Sequence, residues 1–130
     1  MAQDNATLQV GKKLVELCKQ GKNLEAVEQL YAPNIVSIEV HSMPNMPARQ
    51  EGIDAIRKKH DWWYREHEIH SADCKGPWPN GDKFIVLHKI DVTAKSGPMA
   101  GKRTSMEEAA LYTVRDGKVV QEEFFYQMGA

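Results

Sequence analysis

The sequence predicts an α+β domain, with helices gathered in its first half and a largely antiparallel sheet in its second. Three observations carry that expectation. Residues 7–20 and 53–68 repeat apolar side chains at three- and four-residue steps, the period of a helix with one buried face. Residues 83–95 and 103–127 alternate with period two instead, as strands do. The second alternating stretch is interrupted by Asp116-Gly117, a dipeptide that reverses a strand readily because both residues tolerate positive φ.

Composition narrows the function classes. The 130 residues suffice for one domain with a real core. The 17 basic and 18 acidic residues are mixed along the chain, so no basic stripe supports a nucleic-acid footprint. No apolar run approaches the roughly 18 residues that a membrane helix needs. The start, MAQDNATLQV, lacks the basic-then-apolar layout of a signal peptide, and cytoplasmic residence is expected. The glycosylation-like triplet Asn5-Ala6-Thr7 is then a chance match. Cys18 and Cys74 have no metal spacing and are expected to be reduced and buried.

In chain order, Val10, Leu14 and Leu17 mark the buried stripe of a first helix, which Gly21 stops as a left-handed cap. Asn23 serves as N-cap of a short second helix, with Leu24, Val27, Leu30 and Tyr31 on one face and Pro33 at its end. Residues 34–41 read as a strand, Val36-Ile38-Val40 alternating with Ser37-Glu39-His41. The blander account of that polar face is exposure to water. Met43 to Pro47 follows, a segment whose prolines forbid helix and whose methionines are adaptable apolar contacts. It is either a cavity lip or a loop packed on the core. A short strand is expected near Arg49.

Gly52 opens a third helix, residues 53 to about 68, with Ile53, Ile56, His60, Trp63 and His67 on one stripe. Two imidazoles and an indole do not make an ordinary aliphatic core. Residues 69–75 form a strand candidate, and Asn80-Gly81 signals a hairpin. In residues 83–95, Phe84, Val86, His88, Ile90 and Val92 share a face, so His88 is the polar point of an apolar row. In the last hairpin Met106, Glu108, Ala110, Tyr112 and Val114 point one way, and Val120, Glu122, Phe124 and Tyr126 share a face. Both faces carry apolar residues and carboxylates, which places this hairpin between two layers. One β-bulge would exchange Glu107 with Glu108, or Glu122 with Glu123, as the inward member.

The stretches GKNLEAVEQLYAPNIVSIEV, EGIDAIRKKHDWWY and EEAALYTVRDGKVVQEEFFY resemble the nuclear transport factor 2-like superfamily, specifically its SnoaL-like branch. The resemblance covers nearly the whole chain in element order and loop positions. It implies a cone-shaped roll, a strongly curved mixed or antiparallel sheet with three helices closing one face around a cavity. It also implies a homodimer through the outer sheet face. The residues agree, since Ile85, Leu87, Leu111 and Phe125 lie opposite His88 and Glu108 and would otherwise leave an apolar patch in water.

Such domains include isomerases, cyclases, hydrolases, dehydratases and proteins without catalysis, so the shape does not decide the function. Against the ketosteroid isomerase pattern, Glu39 stands where that family has its proton-shuttling carboxylate, and His60 where it has a pocket tyrosine. Leu14 and Ala110 stand at the positions of the oxyanion-hole phenol and its acid partner, so steroid isomerisation is not expected. The catalytic reading uses Glu39 or Glu108 as base, with His60 or His88 as acid partner, on a small apolar carbonyl compound and with no cofactor. Trp63, Tyr112, Glu122, Phe124 and Tyr126 complete the expected pocket. The alternative is a non-catalytic ligand-binding or structural dimeric domain. A third reading makes His60, His88 and a glutamate a metal site, though no ligand pair has a recognisable spacing.

Overall fold

The computed structural model describes residues 2–43 and 45–127; Pro44, within the proline–methionine segment, lies outside them. Two helices come first, α1 (Ala2–Lys19) and α2 (Asn23–Leu30), followed by strands β1 (Tyr31–Ile38) and β2 (Arg49–Glu51) and helix α3 (Ile53–Glu66). Four strands complete the chain: β3 (His67–Asn80), β4 (Lys83–Ala94), β5 (Arg103–Arg115) and β6 (Lys118–Phe125). They form one open sheet in the order β2-β1-β6-β5-β4-β3. The β1–β6 pair is parallel and every other pair antiparallel, so the sheet is mixed, as expected.

The helices lie on one face of the sheet and enclose the core with it. Leu14 of α1, Val27 of α2 and Ile56 of α3 meet Phe84 and Val86 of β4, Tyr112 and Val114 of β5 and Val119 of β6. Each is nearly sealed from solvent, and burial of such a side chain contributes about 1.5–3 kcal/mol. The α1 terminus is closed as its glycine predicts: Lys22 N–H reaches Leu17 O and Gly21 N–H reaches Cys18 O, with Gly21 at φ 74°.

The second helix departs from expectation at both ends. Lys22, not Asn23, is its N-cap and makes no side-chain cap bond. Pro33 does not end it, for the chain passes from Leu30 directly into β1 at Tyr31, and Leu24 is exposed. Strand β1 therefore starts three residues earlier than the sequence suggests, and it ends at Ile38. Its buried residues are Tyr31, Ala32, Ile35 and Ser37, whereas Val36 and Ile38 face the other way and Val40 is exposed. The polar alternation marks the inner face. Water exposure holds for His41 alone; Ser37 is buried and Glu39 half-buried.

Both hairpins form. Asp116 and Gly117 have φ of 52° and 75°, the mirror-type turn the dipeptide favours. At the other hairpin Asn80 pairs with Lys83, which moves the two-residue turn to Gly81-Asp82. Strand β3 runs through Gly76-Pro77 with a register shift between Lys75 and Trp78, so it outlasts the expected 69–75. Strand β6 carries a bulge, with Val114 opposite Val119 but Thr113 opposite Gln121. Val120 is the extra residue. It leaves the inner face, and Val119 and Glu122 both turn inward although three apart.

Candidate functional site

The space between the helices and the inner sheet face is a cavity of about 1150 Å³, large enough to hold a drug-sized molecule. All nine residues singled out in the sequence line it: Glu39, His60, Trp63, His88, Glu108, Tyr112, Glu122, Phe124 and Tyr126. Strand parity brings the last six inward, and the stripe of α3 supplies His60 and Trp63. Glu108 lies directly across from His88 on the neighbouring strand. The inward members of the doubtful pairs are Glu108 and Glu122, while Glu107 is exposed.

One side of the cavity is wired together by hydrogen bonds. Glu122, 2% exposed, accepts from Tyr31 Oη on one carboxyl oxygen and from Ser37 Oγ, at 2.6 Å, on the other. Lys59 Nζ donates to Ser37 Oγ at 2.9 Å and to Glu39 Oε2 at 2.5 Å. Tyr126 Oη donates to the second oxygen of Glu39 at 3.3 Å. The Lys59 ammonium also lies 4.9 Å from the centroid of the Phe124 ring. A buried carboxyl this close to a phenol discourages its ionisation. Burial first, and then the charge of Glu122, hold Tyr31 well above the usual phenol range. Burial, with Glu39 beside it, pushes Tyr126 up to about 12.

The opposite side is different. His88 Nε2 and Tyr112 Oη are 2.9 Å apart, and Tyr112 stacks on Phe84. Burial holds both His88 and His60 below the ordinary imidazole range, so each is neutral at physiological pH. Among the described residues, neither Glu108 nor His60 has a hydrogen-bond partner; His60 makes only a tilted ring contact with Tyr64. Burial above all, and then the charge of Glu39, push the Glu108 carboxyl up to about 7, with Lys59 opposing and Glu122 adding to the rise. A carboxyl poised there exchanges its proton near neutral pH.

A model of the SnoaL-like domain matches residues 5–126. The chain belongs to the SnoaL-like family. Among solved structures, it is similar to a protein of Mesorhizobium loti that carries the provisional name of a SnoaL-like polyketide cyclase. Identity is 41%, coverage 91% of this chain and 97% of that one, and the TM-score 0.84. A second provisional SnoaL-like polyketide cyclase, from Jannaschia sp. CCS1, is 16% identical over 96% and 88% of the two chains, with a TM-score of 0.73. An epoxide hydrolase of Mycobacterium tuberculosis is 10% identical over 95% and 84%, with a TM-score of 0.68. These two likenesses show the fold alone. No curated protein matches.

Three members of this SnoaL-like site escaped the sequence reading: Tyr31, Ser37 and Lys59. Tyr31 had been placed on the apolar face of α2. Ser37 alternates with Glu39 and His41, a pattern that reads equally well as a face in water. Lys59 precedes His60 at the flank of the helix stripe, and its partners lie about twenty residues back in the chain, so no local pattern reveals it. Leu14 lines the cavity and Ala110 is buried in the core, and neither offers a polar atom beyond the backbone. Among the described residues no three of His, Cys, Asp and Glu are grouped to hold a metal ion. None of the described helices is long and apolar enough to cross a membrane.

Proposed function

We propose that this protein binds a small, largely apolar molecule in its cavity and moves a proton on it by general acid–base catalysis. The observation that carries this reading is Glu108. It is a sheltered carboxyl facing the cavity, without a hydrogen-bond partner among the described residues, and pushed up to about 7. A purely structural carboxyl is normally hydrogen-bonded. Glu39, by contrast, has both oxygens engaged, which leaves it the weaker candidate for base. His60 and His88, both neutral, suit the role of orienting donor or acid partner on a carbonyl compound. Isomerisation, cyclisation and dehydration all use such a proton transfer, and the similar Mesorhizobium loti protein carries the provisional name of a cyclase.

The test begins with mass spectrometry of whatever small molecule accompanies the purified protein. In heavy water, the wild-type protein should then exchange an activated C–H of that molecule, and Glu108→Gln, saturated with it, should exchange it about a hundredfold more slowly. Equal exchange by the two would remove Glu108 from the mechanism. Binding without exchange by either would favour the non-catalytic alternative, in which the same groups merely hold the ligand.

We also propose that the outer sheet face pairs with a second copy of this chain. Trp78, Ile85, Leu87 and Phe125 are 41–52% exposed there, and the strand register places Ile85 beside Trp78 and Leu87 one row away. Lys75 and Lys89 share that face with Glu107 and Glu123, so the rim offers both signs to an identical partner. Sedimentation should give a dimer at micromolar concentration and a monomer for Leu87→Glu; a wild-type monomer would contradict the pairing. Cytoplasmic residence is retained as part of the same reading, since the buried free thiols Cys18 and Cys74 suit a reducing compartment.

A further inference from the structure

The cavity wall is far more acidic than the chain as a whole. Three inward carboxyl groups stand on it (Glu39, Glu108 and Glu122), against one lysine and no arginine, while Asp73 and Glu107 are exposed at its edge. The complete sequence is almost balanced, at a formal charge of −1. That lysine, Lys59, is already engaged by Glu39 and Ser37. His60 and His88 add no positive charge, because burial keeps both neutral.

Acidic groups alone would say nothing about a ligand. Here they open into a cavity whose other walls are apolar and partly aromatic, Trp62, Trp63 and Phe124 among them. Strand register sets Ala110 opposite Phe124, which places Phe124 one inward row along from Glu108, with His88 directly across on the other side. Burial and Glu39 raise the Tyr126 phenol, and Glu108 is near enough for its charge to add to the rise. Aromatic faces attract cations, the more so away from water, and the protein's own ammonium already uses one face of Phe124. A neutral ligand offers Glu108 a hydrogen bond at most, without the charge that a carboxylate attracts most strongly, and an anionic one would meet an excess of negative charge.

We propose that the ligand of this cavity carries a protonated amine on an apolar or aromatic body, the ammonium paired with Glu108 beside Phe124 and Tyr126. This rests on reading the cavity as a ligand site, and it names the chemical class which that site selects. The groups facing Glu108 decide its proton linkage. They are His88 from β4, Glu122 and Tyr126 from β6 and the segment after it, Tyr112 on its own strand, Lys59 and His60 from α3, and Glu39 beyond β1. Of these, Glu39 and Glu122 already disfavour its ionised form and Lys59 favours it. An arriving ammonium adds to the effect of Lys59 and expels the proton.

Isothermal titration calorimetry on the full chain at pH 7 compares three probes that share a naphthyl body: 1-naphthylmethylamine, a cation; 1-naphthylmethanol, neutral; and 1-naphthoate, an anion. The amine is expected to bind about tenfold more tightly than the alcohol, and the carboxylate most weakly. Amine titrations in two buffers of different ionisation enthalpy should show about half a proton released per amine bound, since Glu108 is half protonated at that pH. In Glu108→Gln the alcohol should bind as before, while the amine's advantage and the proton release vanish. Equal binding of amine and alcohol by the wild type overturns this inference and leaves the ligand-cavity reading standing. So does a Glu108→Gln protein that keeps the amine preference. Failure of all three probes to bind overturns both. The wild-type comparison decides the matter even if the variant does not fold.

Discussion

Two groups of ionisable side chains share one cavity and have opposite surroundings. On one side Glu122, Ser37, Lys59 and Glu39 hold one another, with Tyr31 and Tyr126 closing the ends. On the other, Glu108 and His60 are half-buried and have no hydrogen-bond partner among the described residues. Burial costs a polar group dearly unless it is paired. The paired group therefore stabilises the fold and fixes the shape of the cavity wall. The unpaired one costs stability, and a ligand that supplies the missing partner recovers it.

The largest expected effect is on the paired side. Lys59→Met leaves Glu39 without its cation and Ser37 without its donor, in a pair whose side chains are 17% and 23% exposed. It should lower unfolding stability by about 3 kcal/mol, seen as a lower urea midpoint at unchanged slope. Adding Glu39→Gln to Lys59→Met should cost less than the sum of the two single changes. Full additivity would mean that the two sides do not differ as described.

The unpaired side should respond with the opposite sign. The folded protein holds the Glu108 proton up to about 7, against an ordinary value of 4.5. The native state therefore binds more protons than the unfolded one in that window, and stability falls as pH rises through it. Glu108→Gln removes this loss. The variant should match the wild type near pH 4 and exceed it by about 3 kcal/mol above pH 8. Destabilisation at high pH would assign Glu108 to the paired side.

The smallest effect sharpens the comparison within the network. Tyr31→Phe removes one of two donors to Glu122 and should cost about 1.5 kcal/mol, with no change in the size of the cavity. A neutral result would show that Ser37 alone satisfies Glu122.

The sequence was informative wherever a local rule acts. Asp116-Gly117 fixes a turn through its own backbone preferences, and strand parity then brings Glu108, Tyr112, Phe124 and His88 to one face. The stripe of α3 likewise anticipates His60 and Trp63. What escaped depends on partners distant in the chain. Ser37 and Glu39 look like a solvent face until Lys59 is known to stand over them. Tyr31 reads as the last apolar residue of a helix until Glu122, 91 residues away, is seen to accept its hydroxyl. The bulge at Val120 is invisible for the same reason. It takes the neighbouring strand to show that Val119 and Glu122 share a side, since in a regular strand they would not.

The central claim is that Glu108 sits in the cavity without a partner and so holds its proton to neutral pH. Following its side-chain carboxyl by carbon NMR as pH is raised measures this directly. The account predicts a titration midpoint at about 7. A midpoint near 4.5, the ordinary glutamate value, would contradict it.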